Sequence, residues 1–397
     1  MKKILYVFHC STIGGGSYCL LNILKNIDRN KYIPTVLLAC NGPLVDEIEK
    51  LGIDVFFYPE LDSTPYNLSL WKRGTIAKYC KINKSFGGFM EKLKRINPDL
   101  VYLNSMMLYP YLKPAKEMGY KTVIHIREHW PFAEHKKQLR RLQTFIQKYA
   151  DHVVAINKFA AEQVPYIENK TTIVYDWIDF TDRYKDIPVS DIFKDDLSDK
   201  KVLLFTGGRA PNKGAKEVAE LFSKYLKDDN LRLLVLGNSI QQFGKCWKER
   251  IKMWLSDNGI RGFYGYELNN IIKSDKRIVC IPNVYEIKHL LDQCTCLVSY
   301  FTIPHANLAL AEGIINKTIV VAAETEESLE YSLNGDLAFL FKMNNAEEFV
   351  KAVKESLTQY DSMKRKLEEH SYIVKEMFDK GQNVNVLQMV YDTLLYK

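Results

Sequence analysis

Residues 203–214 read LLFTGGRAPNKG. The apolar run at the start of this stretch has the length and composition of a buried β-strand, and Gly207-Gly208 ends it. A helical pattern, KEVAELFSKYL, follows from residue 216. Strand, glycine turn and helix in this order are typical of a parallel βαβ unit, whose helix begins beside the carboxyl end of the strand. The stretch therefore predicts an α/β fold with an anion-binding position after this strand.

Short apolar runs alternate with helical patterns on both sides of this stretch. Strand-like runs before it include KILYVFHC, YIPTVLLAC, IDVFFYP, DLVYLN and KTVIHIRE, and those after it include LRLLVLGN, RIVCIPN, CLVSYF and TIVVAAE. This spacing predicts parallel sheets covered by helices on both faces. We predict a Rossmann-like domain over residues 1–183, a polar linker over 184–200, a second Rossmann-like domain over 201–375 and a C-terminal helix over 376–397.

Length and composition agree with two globular domains. The chain has 397 residues, which exceeds the size at which one hydrophobic core stops growing. Hydrophobic residues make up 47% and charged residues 26%, which excludes disordered and fibrous classes. No apolar run reaches the roughly 18 residues that span a bilayer, and the opening MKKILYVFHC is too short for a signal peptide. Eight scattered cysteines without a CxxC pair favour free thiols, so we expect a cytoplasmic protein.

Arg209 and Lys213 follow the glycine pair and lead to the first functional hypothesis. Backbone N–H groups at a helix N-terminus attract anions, and two cationic side chains beside them add charge-assisted hydrogen bonds. This combination favours a bound phosphate group. The alternative is a glycine turn with two solvated basic residues, since neither a Walker lysine-serine pair nor GxGxxG is present.

A second glycine-rich turn lies near the start of the chain, in FHCSTIGGGSYCLLNIL. Gly14, Gly15 and Gly16 let a substrate approach the backbone closely where the first predicted strand passes into a helix. A purely structural turn is the alternative. The presence of such a loop in each half of the chain favours ligand binding.

Several segments, taken in order, resemble the GT-B retaining glycosyltransferases, whose donors are nucleotide sugars. They are GGG after the first strand, IVYDWID before the linker, LLFTGGRAPNKG, and ALAEGIINKTIVVAAE near the end. HIREHWPFAEH is similar to a stretch in the family-4-like group of bacterial surface-polysaccharide glycosyltransferases. The resemblance implies two Rossmann-like domains facing an interdomain cleft, with the donor mainly in the second domain and the acceptor in the first.

By this resemblance Arg209 and Lys213 bind the donor diphosphate, and Glu312 accepts hydrogen bonds from the ribose hydroxyls. FTIPHANLALAE resembles a loop whose backbone amides meet the donor. The expected donor-binding residues in the glycine loops and in this segment are Gly14, Gly15, Gly16, Gly208, His305, Ala306, Asn307 and Leu308. Asn307 is equally a residue type that starts helices. This sequence departs from the family in an arginine-to-lysine interval one residue shorter, and in Pro304, which replaces a glutamate.

The HIRE segment, residues 125–128, ends an apolar strand-like run. By the resemblance His125 contacts the donor sugar, and Arg127 and Glu128 join the donor-binding residues. A hydrogen-bonded core histidine is the alternative for His125.

A metal site is a further alternative for the histidines of this region. His125, His129 and His135 have a spacing that could occur on a helix, but Trp130-Pro131 interrupts helical geometry. We expect no metal, and no cofactor besides the nucleotide-sugar substrate.

The family activity implied is transfer of a sugar from a nucleotide-diphosphate sugar to a saccharide or lipid-linked acceptor in bacterial surface-polysaccharide synthesis, with retention. Arg209, Lys213 and helix N-termini would neutralise the departing diphosphate, and a departing phosphate oxygen would take the acceptor proton. With His125, these two residues are the expected catalytic set. The alternatives are a sugar-nucleotide epimerase of the same fold and a non-catalytic subunit that binds a partner enzyme.

Basic residues concentrate in the N-terminal half. Residues 1–183 hold 26 Lys+Arg against 18 Asp+Glu, or +8, and the remainder holds 29 against 30, or −1. Much of the excess lies in WKRGTIAKYCKINKSFGGFMEKLKR and HKKQLRRLQTFIQK. This predicts loose attachment to the anionic cytoplasmic face of the inner membrane, with no nucleic-acid partner. The alternative is ordinary surface helices that pack their apolar sides on the core.

Overall fold

The computed structural model describes residues 1–65, 74–129, 136–164, 169–180, 188–237, 260–282, 284, 287–304 and 306–396. Two compact units make up the chain. The first consists of Met1–Trp177 with Phe378–Lys397, and the second of Ile178–Met377. Each unit is built on one parallel sheet and the helices that connect its strands.

The first unit contains a seven-stranded sheet with the order β3-β2-β1-β4-β5-β6-β7. Its strands are β1 (Lys2–Phe8), β2 (Tyr32–Leu38), β3 (Asp54–Phe57), β4 (Leu100–Leu103), β5 (Lys121–Ile126), β6 (His152–Ala155) and β7 (Thr171–Ile173). The strand order changes direction between β1 and β4, which are directly paired. Ligands bind open α/β sheets at the carboxyl ends of the strands at such a switch point.

The second unit contains a six-stranded sheet with the order β10-β9-β8-β11-β12-β13. Its strands are β8 (Lys201–Phe205), β9 (Leu231–Leu236), β10 (Ile278–Ile281), β11 (Cys296–Ser299), β12 (Ile319–Glu324) and β13 (Phe339–Lys342). Here the switch point lies between the paired strands β8 and β11. The two doubly wound parallel sheets confirm the predicted α/β fold class.

The described part of the chain contains fifteen α-helices, numbered in chain order. They are α1 (Gly15–Asn26), α2 (Pro43–Glu49), α3 (Thr75–Ile96), α4 (Leu112–Glu117), α5 (Lys136–Tyr149), α6 (Lys158–Glu162), α7 (Val189–Phe193), α8 (Ala215–Tyr225), α9 (Ile260–Ser274), α10 (Lys288–Gln293), α11 (Leu308–Ile315), α12 (Glu326–Tyr331), α13 (Ala346–Thr358), α14 (Tyr360–Met377) and α15 (Lys380–Leu395).

Helix α15, for which the sequence indicates no packing partner, belongs to the first unit. Its apolar positions recur every three or four residues, so they share one face. Four of them, Val384, Leu387, Val390 and Tyr391, join the buried core formed by β1, β2 and α1. The last helix of the chain therefore completes the core of the N-terminal sheet.

The basic helix α5 packs its apolar side on the core of the first unit, as in the alternative of an ordinary surface helix. Leu139, Leu142 and Ile146 are buried, whereas Arg140 and Arg141 are exposed. Its apolar face is thus used for packing within the unit, and only the basic face is open to other partners.

Candidate functional site

A tight loop joins β8 to α8 at the switch point of the second sheet. Gly208 and Gly214 have φ angles of 68° and 80°, in the left-handed region that side chains disfavour. A Cβ on Gly214 would lie 2.3 Å from the carbonyl oxygen of Tyr300, which follows β11. Glycine at this position therefore permits close approach between the loops after β8 and β11.

Hydrogen bonds hold these two loops together. The backbone N–H of Thr302 donates to the carbonyl oxygen of Asn212 at 3.1 Å, and the Thr302 hydroxyl donates to that of Pro211 at 3.3 Å. A 3₁₀ turn over Pro211–Lys213 separates Arg209 from α8. Both predicted diphosphate-binding residues thus lie on a braced loop at the carboxyl end of β8.

Lys213 is a cation that no described carboxylate neutralises. Its Nζ lies 4.4 Å from the centroid of the Phe301 ring. Burial alone lowers the pKa of Lys213 to about 7, with no contribution from an acidic group among the described residues. An anion at this ammonium group would favour its protonated form, so the site is suited to a negatively charged ligand.

Arg209 is half-buried in the same loop. Burial lowers the pKa of its guanidinium group, and the charge of Cys280 in β10 raises it. Arginine stays protonated under such shifts, so this residue keeps its positive charge at neutral pH. The loop therefore carries one permanent cation and one whose charge depends on its ligand.

Asn307 is the N-cap of α11 in the second unit. Its Oδ1 accepts hydrogen bonds from the backbone N–H of Leu310 at 3.2 Å and from the Ser299 hydroxyl at 3.1 Å. The Nδ2 atom is buried and has no partner among the described residues. Asn307 thus caps the helix, and its Nδ2 group has no hydrogen-bond partner among the described residues. Binding of the nucleotide-sugar donor by Asn307 stays a prediction.

The other predicted residues of this segment lie around the start of α11. Ala306, Leu308 and Glu312 are all partly buried, and Glu312 occupies the second turn of the helix. The prediction for His305 falls outside the described residues. The proposed ribose contact of Glu312 stays a prediction.

In the first unit, the predicted glycine loop follows β1 at the switch point. Helix α1 begins at Gly15 with Gly14 as its N-cap, and no side chain caps it. Gly14 and Gly15 are exposed, with no atom within 4 Å of the position a Cβ would take. Asn104, fully buried after β4, donates from Nδ2 to the carbonyl oxygen of Gly16 at 3.4 Å. The uncapped helix start is therefore open to an approaching group.

His125 lies near the end of β5 and is buried. Its Nδ1 is 2.6 Å from the hydroxyl of Tyr102, while its Nε2 is buried without a partner among the described residues. Burial, reinforced by the positive charge of Arg127, lowers the pKa of His125 well below its ordinary value. The imidazole is therefore neutral at physiological pH, and one ring nitrogen remains unused.

Arg127 is almost fully buried beside His125. Its Nη1 donates to both carboxylate oxygens of Asp176 at 2.5 Å, and its Nε donates to Oδ1 of Asn104 at 3.1 Å. The third nitrogen, Nη2, is buried and lacks a partner in the described part of the chain. Two oriented but unused nitrogen atoms, on His125 and Arg127, thus lie at the carboxyl end of β5.

Both carboxylate oxygens of Glu128 accept hydrogen bonds from other residues of the first unit. Its Oε1 accepts a hydrogen bond from the Ser105 hydroxyl, and its Oε2 accepts from the backbone N–H of Met106 at 2.8 Å. These donors begin the 3₁₀ helix Met106–Tyr111. Burial raises the pKa of Glu128 despite these bonds. The contacts give the carboxylate a role at this helix start, and donor binding by Glu128 stays a prediction.

The histidines considered for a metal site have other surroundings. The His129 ring stacks on Phe159 with centroids 4.1 Å apart. His135 lies outside the described residues. No cluster of three metal-ligating side chains occurs within the ranges the structure describes.

Sequence reasoning missed three residues that hydrogen-bond His125 or Arg127 in the first unit. Tyr102 and Asn104 fall at the end of the DLVYLN run, and Asp176 falls inside IVYDWID. Polar residues where a strand ends are a usable signal, because carboxyl ends of parallel strands meet at one edge of the sheet. The pairing of Asp176 with Arg127 joins positions 49 apart and has no local signature.

Solved structures of the same two-domain architecture span the whole chain. Anabaena Alr3699/HepE in complex with UDP-glucose matches with a TM-score of 0.72 and 17% identity over 100% of both chains. A glycosyltransferase from Rickettsia africae matches with a TM-score of 0.72 and 17% identity, over 99% of this chain and 98% of that one. A Listeria monocytogenes protein described as a candidate UDP-N-acetylglucosamine 2-epimerase matches with a TM-score of 0.59 and 13% identity, over 100% and 97%. The fold is therefore of the GT-B class.

A family model described as Glycosyl transferases group 1 matches residues 190–373. This segment includes Arg209, Lys213 and Glu312. The matched domain, together with the fold, indicates that the protein is a glycosyltransferase. No curated protein matches the chain significantly. Among the helices of the described ranges, none is long and apolar enough to cross a membrane.

Proposed function

We propose that this glycosyltransferase moves a sugar from a nucleoside-diphosphate sugar to a saccharide or lipid-linked acceptor, with retention, in the assembly of bacterial surface polysaccharide. One observation carries the donor assignment. Lys213 presents a largely desolvated ammonium group without a described acidic partner, on a braced loop at the switch point of its sheet. The Anabaena protein of the same fold was solved with UDP-glucose, which makes that nucleotide sugar the first probe.

In this proposal the second unit stabilises the departing diphosphate. Negative charge grows on the leaving phosphate oxygens as the bond to the sugar breaks, and Arg209 and Lys213 neutralise it. The chemistry then needs no metal. Glu312 accepts hydrogen bonds from the ribose hydroxyls, and a departing phosphate oxygen takes the proton of the acceptor hydroxyl.

The first unit supplies contacts to the transferred sugar. His125 Nε2 and Arg127 Nη2 are buried and unused by described residues, so a sugar oxygen that meets them gains hydrogen bonds the free protein lacks. The neutral imidazole contributes without competing with the diphosphate for positive charge. Asn104 and Asp176 orient Arg127.

Release of nucleoside diphosphate tests the reaction. The protein is first screened by thermal shift against nucleotide sugars beginning with UDP-glucose, and the donors that stabilise it are incubated with candidate acceptors. Acceptor-dependent release of nucleoside diphosphate is the expected result. Conversion of the nucleotide sugar without an acceptor would instead indicate the epimerase, and the Listeria neighbour is the observation that keeps this alternative open. Binding without turnover would indicate a non-catalytic subunit.

The acceptor side of the proposal rests on a groove in the first unit. This groove, of about 940 Å³, runs along α3 and is lined by the basic side chains of Lys81, Lys84, Lys92 and Arg95, with Glu60 and Glu91 as its acidic residues. Anionic lipid head groups attract such residues by about 1 kcal/mol each. We propose peripheral attachment at the cytoplasmic face of the inner membrane, where a lipid-linked acceptor is available.

Vesicle sedimentation tests this attachment. The protein should bind vesicles containing phosphatidylglycerol at low salt and release them at high salt, since surface charges are screened. Replacement of Lys84 and Arg95 by Gln should weaken binding, whereas the matched double replacement of exposed Lys351 and Lys354 on α13 should not. Equal binding by both variants, or none at low salt, would favour a soluble acceptor.

A further inference from the structure

Three buried tyrosines lie in the core of the first unit, and one of them contacts His125. Tyr6 of β1, Tyr102 of β4 and Tyr391 of α15 are all completely buried. The Tyr6 hydroxyl donates to that of Tyr391 at 3.2 Å, and the Tyr391 ring packs edge-on against the Tyr102 ring with centroids 5.9 Å apart. The Tyr102 hydroxyl lies 2.6 Å from His125 Nδ1. Tyr102 is thus the tyrosine that hydrogen-bonds the histidine.

The Tyr102 proton indicates the direction of its hydrogen bond with His125. A phenol has one proton to donate and can also accept. If Nδ1–H donated to Tyr102, the buried Tyr102 proton would have no hydrogen-bonded acceptor among the described residues, which is unfavourable. Tyr102 therefore donates to Nδ1.

We propose that Tyr102 holds His125 in the Nε2–H tautomer and is thus a positioning residue for His125. Nδ1 accepts from Tyr102 and cannot also carry a proton while the imidazole is neutral. The single ring proton is then on Nε2, the atom that has no described partner.

The tautomer determines what His125 recognises. Nε2–H and Arg127 Nη2 are both hydrogen-bond donors, so a group that meets either of them must accept. This consequence rests on the proposed function, in which that group is an oxygen of the donor sugar. Glutamine at position 125 retains a donor, whereas phenylalanine removes it.

Nitrogen NMR of the whole protein labelled with ¹⁵N-histidine measures the tautomer directly. His125→Gln assigns the signals by their disappearance. In the unaltered protein Nδ1 should show the shift of an unprotonated ring nitrogen and Nε2 that of a protonated one. Tyr102→Phe should move both shifts toward the average of the two tautomers.

Tyr32→Phe is the matched control. Tyr32 is buried in the core of the same unit, but its hydroxyl bonds Asp392. A protonated Nδ1 in the unaltered protein would overturn the proposal, as would equal shifts in Tyr102→Phe and Tyr32→Phe. Turnover separates this result from the proposed function. If the tautomer shifts as expected while Tyr102→Phe keeps full activity, the assignment of the tautomer stands and the role of His125 in transfer falls.

Discussion

Nη1 of Arg127 lies 2.5 Å from both carboxylate oxygens of Asp176, and Nε of the same guanidinium donates to Asn104. Two of the three guanidinium nitrogens are therefore fixed inside the first unit. The third, Nη2, has no partner in the described part of the chain and is buried beside His125. The arrangement orients one charged donor and leaves it available.

Asp176→Asn should destabilise the protein strongly. Removing one partner from a buried pair leaves an uncompensated charge, at a cost of about 3–5 kcal/mol in the free energy of unfolding. Urea denaturation measures the loss. Glu47→Gln is the control, because Glu47 pairs with Lys50 on the surface at 2.7 Å and should cost less than about 1 kcal/mol. Similar denaturation midpoints for the two variants would contradict the role assigned to Asp176.

Donor affinity should depend on pH through Lys213. Its pKa is about 7 in the free protein, and a bound diphosphate favours the ammonium form and raises it. Binding then takes up a proton, so affinity for UDP-glucose falls as pH rises from about 7 to 9. UDP-glucose is suitable because its diphosphate does not titrate in this range. In Lys213→Arg the charge is permanent, and the slope should disappear; an unchanged slope in that variant would assign it to another group.

Two glycine substitutions should have opposite effects on stability. In Gly214→Ala, φ stays at 80° and the new Cβ meets the Tyr300 carbonyl oxygen at 2.3 Å, so unfolding should occur at lower temperature. Gly87 lies inside α3 with no atom near its Cβ position, so Gly87→Ala should stabilise by about 0.5–1 kcal/mol. Thermal unfolding compares the two. A Gly214→Ala protein as stable as the parent would show that the loops after β8 and β11 do not need this close approach.

The fold class could be predicted from the sequence because the patterns that indicate it lie within short segments. Apolar runs of strand length alternate with helical periods, and glycines mark the turns after β1 and β8 at both switch points. Local pattern also placed Arg209 and Lys213 after β8 and His125 near the end of β5, and their ligand contacts stay predictions. It could not locate Tyr391, which meets Tyr6 across 385 positions, or the partnership of Arg127 with Asp176. Such contacts depend on the order of strands in the sheet, which determines which loop ends become neighbours.

The capping residues show a second limit of local pattern. Asn307 and Glu128 are polar residues at predicted ligand-binding edges, yet their oxygens accept hydrogen bonds at the starts of α11 and of the 3₁₀ helix Met106–Tyr111. A polar side chain at a helix start serves the exposed backbone N–H groups as readily as it serves a ligand. Composition alone does not separate these uses, because both require an acceptor at the same place.

Calorimetric titration with the nucleotide sugar that stabilises the protein tests the central claim most directly. Arg209→Ala and Lys213→Ala should each weaken binding about 10-fold to 100-fold, since a hydrogen bond to a charged group contributes about 1.5–3 kcal/mol. Arg209→Lys should recover part of the loss. Lys216→Ala is the control, because Lys216 pairs with Glu267 in the same unit and should leave affinity unchanged. Unchanged affinity in both Arg209→Ala and Lys213→Ala would contradict the assignment of the loop after β8 as the diphosphate site.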